Sequence, residues 1–155
     1  MKISRLLVIT LLLGAFQFTF LNYLRIFGIK PDLLLVTVVI AGLFLETRAA
    51  VIFGLFAGIF KDVFGVNAFG LDVILFSLWG FLSAHISRKI SIDDNVTRVF
   101  LVFIIALLQN TASALSLNLS GSFVPLGIFI RIAFLGSLYT ALTLPLILKT
   151  LKIKI

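Results

Sequence analysis

Long apolar runs alternate with short polar connections along this chain, and the polar residues inside the runs recur at three and four positions, the period of a helix rather than a strand. The first run, residues 6–24, follows Lys2 and Arg5 in the manner of a secretory signal. It is long and no small-x-small cleavage site follows it, so it predicts an uncleaved first span. Residues 25–32 form a polar connection in which Pro31 suits the first turn of the next helix, where its missing N–H would be unpaired anyway. The second span is then residues 33–45, short and extended at both ends, and the third is residues 49–64. Gly65-Val-Asn-Ala-Phe-Gly70 has the composition of a tight turn, since Gly and Asn tolerate positive φ, and it makes a hairpin of spans three and four. The fourth span, residues 71–87, ends in Arg88-Lys89 and a polar connection with a turn-like Asp93-Asp94-Asn95. The fifth is residues 99–117, and Pro125 opens a sixth that continues to residue 148 with Pro145 near its end.

The third span has the most pronounced pattern. At about 100° per residue, Ala50, Gly54, Gly58, Asp62 and Gly65 fall within one arc, while Phe53, Phe56, Phe60 and Phe64 occupy another. One face is flat and the other bulky. Hydrocarbon gives no hydrophobic drive between helices, so close approach of backbones over Gly and Ala is a main means of association, and Gly54-x3-Gly58 predicts a packing face. The phenylalanine ridge is open to two readings, a face toward lipid and a face toward a partner helix.

Composition fixes the solvent. With 61% hydrophobic and 12% charged residues and a mean hydropathy of +1.26, the chain carries about half the charge of a soluble domain. It predicts an all-α integral membrane protein: one multi-pass domain over residues 1–155, a compact bundle of six transmembrane helices at about 20 residues each. The net charge of +7 does not point to nucleic acid, because the basic residues sit at the ends of apolar runs and form no stripe with exposed aromatics. They act as topology signals. Lys2, Arg5, Arg48, Arg88, Lys89, Arg98, Lys149, Lys152 and Lys154 fall on one side and Arg25, Lys30 and Lys61 on the other, which places both termini in the cytoplasm. The absence of Cys excludes disulfides and thiolate chemistry.

On that topology Lys61, Asp62 and Asp72 share the outer end of the bundle, and Arg131 lies about 9 Å inside the sixth span at about 1.5 Å per residue. Two readings are open: an ion pair of Arg131 with Asp62 or Asp72, or a snorkelling Arg beside two helix-end carboxylates. Gln109, Ser113, Ser116 and Ser120 share one narrow face of the fifth span, either as hydrogen-bonded glue between helices or as the lining of a small-ligand cavity. Asn110 adds a further contact between helices. His85, the single histidine, stands 13 residues from Asp72, about 20 Å along a helix, and belongs to the membrane interface. No serine triad, phosphate-cradling glycine loop, metal cluster or paired catalytic carboxylates occur, so the sequence predicts no enzyme, cofactor or metal.

Lys30-Pro31-Asp32-Leu33-Leu34-Leu35, followed by Ala50-x3-Gly54-x3-Gly58-x3-Asp62-x2-Gly65-x4-Gly70, resembles the MreD family of rod-shape-determining membrane proteins. The likeness covers nearly the whole chain in size, layout and the order of these pieces. It implies a bacterial inner-membrane subunit of the elongation machinery, without chemistry of its own. The implied partners are a bitopic MreC-like protein, a SEDS glycosyltransferase, a class B penicillin-binding protein and membrane lipids, in side-wall peptidoglycan synthesis. It also implies a fold similar to the six-helix substrate-binding components of ECF vitamin transporters, which leaves a small-molecule binding subunit of an ECF-type importer as the alternative. Pro31, Asp32, Gly54, Gly58, Asp62, Gly65 and Gly70 match the motif, with packing or partner roles.

Overall fold

A computed structural model describes residues 3–20, 23, 25, 28–65, 68–90, 92 and 94–151. Within them the chain forms six helices: α1 (Ile3–Thr19), α2 (Leu33–Phe44), α3 (Thr47–Phe64), α4 (Leu71–Lys89), α5 (Asn95–Leu119) and α6 (Leu126–Thr150). Lys2, Lys152 and Lys154 of the charge pattern, Asp93, Val66 and Asn67 of the two predicted turns, and the end of the first run at residue 24 lie outside the described residues.

The centre of the fold is α2, which is buried from Leu33 to Gly42. It matches residues 33–45 to within one residue but is not extended beyond them as expected, and both ends have a physical cause. At the start the Asp32 carboxylate accepts the Leu35 N–H at 3.1 Å, so Asp32 is the N-cap and Pro31 stands one residue before it, not in the first turn. At the finish Leu45 is extended (φ −106°, ψ 166°), which stops the helix before α3 begins. Twelve residues rise about 18 Å, well short of the roughly 30 Å hydrocarbon thickness.

Antiparallel α3 and α4 pack backbone to backbone. A Cβ on Gly58 would lie 2.5 Å from both the Asp72 carbonyl oxygen and Val73 Cα, and one on Gly54 would collide with the Phe76 carbonyl. Gly80 of α4 is pressed in the same way against the Ala50 carbonyl. Small residues at four-residue spacing therefore leave no side chain between the two helices. Of the two glycines bounding the predicted turn, Gly70 adopts positive φ (97°) as the N-cap of α4, whereas Gly65 is extended. The phenylalanine ridge is divided: Phe53 is buried, Phe60 is half-buried, and Phe56 and Phe64 are exposed.

α5 and α6 form a second hairpin, tied by an Asn110 to Ser137 hydrogen bond of 3.1 Å and an edge-on Phe103–Phe134 contact. At 25 residues each they are long and apolar enough to cross a membrane. The interior is mostly apolar but also takes in Thr37, Asp72, Ser83, Gln109, Ser137 and Thr140, while large apolar side chains such as Leu12, Phe56, Ile74, Leu126 and Leu146 are exposed. An apolar surface over partly polar packing suits a protein whose surroundings are hydrocarbon.

Candidate functional site

Where α1 and α3 end and α2 and α4 begin, a buried polar network joins all six helices. Its centre is Lys61, in the last turn of α3, whose ammonium reaches Asp32 Oδ2 at 2.5 Å and Asp72 Oδ1 at 3.3 Å. The remaining face of the ammonium looks onto the Phe76 ring, 4.7 Å from its centroid. Two carboxylates and one ammonium in a poorly solvated site need further donors, and the neighbouring helices supply them. Gln17 of α1 donates to Asp32 Oδ1 at 3.3 Å and accepts the Leu34 N–H at 3.1 Å. Gln109 of α5 donates to Asp72 Oδ1 at 2.6 Å and accepts Trp79 Nε1–H at 2.7 Å. Thr140 of α6 accepts the Asp32 N–H at 3.0 Å and donates to the Gly136 carbonyl.

Asp62 does different work although it adjoins Lys61. One residue turns the helix by about 100°, so Asp62 follows the glycine face toward α4 while Lys61 points toward α2. Its carboxylate accepts the N–H groups of Gly70 (2.9 Å), Asp72 (3.2 Å) and Val73 (3.1 Å). Gly70 has no side chain to cap α4, and Asp62 supplies that cap from the facing helix.

Of the two readings open for Arg131, the ion pair with Asp62 or Asp72 is not formed. Arg131 lies exposed on α6, Asp62 is occupied by the start of α4, and Asp72 is held by Lys61 and Gln109. The polar face of α5 also divides. Gln109 enters the network, Ser113 lines a cavity above it, and Ser116 and Ser120 lie beyond, with Ser120 donating to the Ser116 carbonyl at 2.9 Å. Pro31 is buried beside the cavity, and Ala50, Gly54 and Gly58 belong to the α3–α4 contact. His85 is exposed and stacks on Phe81.

Gln17 and Thr140 are the network members that sequence reading did not place, and Lys61 is placed at this end by the sequence without its pairing to Asp32 and Asp72. Gln17 has a usable signal, a lone amide in an otherwise apolar stretch, whereas nothing local distinguishes Thr140 from other helix threonines. At the opposite end Arg98, counted among the basic residues of the cytoplasmic side, is buried. Its Nε donates to the Ile92 carbonyl at 3.1 Å and its guanidinium lies over Phe44, while Nη1 has no partner among the described residues.

The cavity above the network has a volume of about 290 Å³ and is lined by Gln17, Lys30, Asp32, Lys61, Ser113 and Thr140 among others. Its position is set by the junction between α1–α4 and the α5–α6 hairpin, both of which contribute walls. Among the described residues there is no group of three His, Cys, Asp or Glu able to hold a metal ion. Most of the network's hydrogen bonds run between its own members and to helix ends, so it ties the helices together.

The model of one protein family, described as rod shape-determining protein MreD, matches residues 2–150. No curated protein and no solved structure matches the chain.

Proposed function

The chain belongs to the MreD family of rod shape-determining membrane proteins, and from that premise we propose that it is a non-enzymatic scaffold or regulatory subunit of the bacterial elongation complex. In this reading it is a multi-pass protein of the cytoplasmic membrane with six spans and both termini inside. It partners a bitopic MreC-like protein and supports a SEDS glycosyltransferase and a class B penicillin-binding protein in side-wall peptidoglycan synthesis. The observation that carries the proposal is the family match across residues 2–150.

Physical features support it. α5 and α6 are long and apolar enough to cross a membrane, and α1, α3 and α4, at 17, 18 and 19 residues, rise about 26 to 29 Å each. The short α2 is enclosed by the others and needs no lipid contact of its own. A bundle with exposed apolar faces and its polar groups turned inward acts on other proteins through contacts between helices in the membrane. The test is isolation of the tagged chain from its native host under mild detergent. A bitopic partner in fixed stoichiometry is the expected result, and a chain that elutes alone and leaves wall synthesis unchanged when deleted contradicts it.

The 290 Å³ cavity favours one other reading, a small-molecule binding subunit of an ECF-type importer. The architecture we propose is similar to that of such subunits. Saturable binding of a vitamin by the purified chain, with a growth requirement for that vitamin on deletion, would establish the importer in place of the scaffold.

A further inference from the structure

The polar cavity does not stand alone. A furrow of about 420 Å³ runs between α1 and α3, wholly apolar, walled by Leu7 and Leu11 on one side and by Phe56, Ile59, Val63 and Phe64 on the other. Phe64 lines both the furrow and the cavity, so the two adjoin. From Phe56 to Phe64 the furrow extends about 12 Å along α3, away from the polar end of the bundle. A water-soluble ligand would fill the cavity and leave the furrow unused, and a bare acyl chain would set hydrocarbon against the cavity's polar walls. One amphiphile matches both.

Charge selects its head. The cavity floor holds two carboxylates, Asp32 and Asp72, against one ammonium, Lys61. Asp32 accepts from Leu35, Gln17 and Lys61, which uses three of its roughly four acceptor positions and leaves one on Oδ2. The rim is opposite in sign. Lys30 lines the cavity with its ammonium over the Phe18 ring, and burial first, then the neighbouring Arg25, against an opposing pull from Asp32, hold that ammonium below the ordinary lysine range. An acceptor at the floor and a cation, Lys30, at the rim complement a zwitterion with an N–H cation at one end and an anion at the other.

We propose that the cavity and furrow together bind one phospholipid with a phosphoethanolamine head, its ammonium donating to Asp32, its phosphate at Lys30, and one acyl chain along the α1–α3 furrow. A choline head is disfavoured because it has no N–H to give Asp32, and a glycerol head because it has no cation to meet the floor. This inference concerns what the bundle binds and does not depend on the scaffold reading.

The test uses the full chain reconstituted in bilayers containing equal amounts of phosphatidylethanolamine, phosphatidylcholine and phosphatidylglycerol, then released for native mass spectrometry. Wild type is expected to retain one phosphatidylethanolamine, several-fold over either competitor. Lys30→Gln, which removes the rim cation, and Leu11→Trp, which fills an exposed part of the furrow, should each lower that retention several-fold at unchanged helicity by circular dichroism. If Leu11→Trp fails to fold, Lys30→Gln decides alone. Equal retention of the three lipids, preferential retention of phosphatidylglycerol, no retained lipid, or retention unchanged in Lys30→Gln would each overturn the proposal.

Discussion

The two hairpins of this bundle are built on opposite principles. Between α3 and α4 the glycines bring backbone against backbone, so contact is decided by shape and no side chain can move aside. Between α5 and α6 the contact runs through side chains, an amide on a hydroxyl and one ring edge on another. The difference is visible at single glycines: a Cβ on Gly54 would run into the Phe76 carbonyl, whereas one on Gly136 would sit 3.3 Å from the Asn110 amide nitrogen and 3.4 Å from Ile29 Cγ2, both able to shift. A shape-locked pair makes a rigid base, and a side-chain-mediated pair set against it leaves a polar cavity at the junction. Lys61 stands where the two meet, tying Asp32, which Thr140 of the second hairpin also holds, to Asp72, which Gln109 also holds.

The comparison can be broken most forcefully at that junction. Lys61→Met leaves the buried Asp72 and the half-buried Asp32 without their shared cation, and unfolding in detergent should show a loss of about 2 to 4 kcal/mol, somewhat below the usual consequence of removing one partner from a fully buried ionic cluster. Next is the shape lock: Gly54→Ala forces the α3 and α4 backbones apart and should cost about 1 to 3 kcal/mol, while Gly136→Ala in the looser hairpin stays near neutral in the same assay. Equal effects of these two substitutions would remove the distinction between the hairpins. Asp62→Ala strips the borrowed cap from α4 and should cost about 0.5 to 2 kcal/mol, with increased hydrogen exchange confined to the amides of Gly70, Asp72 and Val73. Smallest of all, Arg131→Gln should leave the unfolding midpoint unchanged, because Arg131 is exposed and holds neither carboxylate.

How much of this was readable in advance differs between the same two regions. The glycine face of α3 was legible because a packing face is periodic within one helix, and Ala50, Gly54, Gly58 and Asp62 repeat every four residues. The ionic network was not, because its bonds join residues far apart in the chain: Lys61 meets a carboxylate 29 residues earlier, and Asp32 meets a hydroxyl 108 residues later. Sequence placed Lys61, Asp62 and Asp72 at one end of the bundle but offered no local reason to pair the carboxylates with Lys61 rather than Arg131. The length of α2 was misjudged for a related reason. The apolar run invites extension toward a full span, but the Asp32 cap and the extended Leu45 stop the helix at either end. Arg98 reads as a topology signal on the cytoplasmic side, yet the fold buries it with its guanidinium over Phe44.

The central claim is that a bundle locked over Gly54 and Gly58 serves as a scaffold for side-wall growth. The measurement that tests it most directly is depletion of the chain in its rod-shaped native host, following cell width and the sites of new wall insertion by microscopy while plasmid copies are expressed at equal level. The account predicts rounding and dispersed wall synthesis, restored by wild type and by Arg131→Gln but not by Gly58→Leu. Normal width and localised synthesis without the chain, or full rescue by Gly58→Leu, would contradict it.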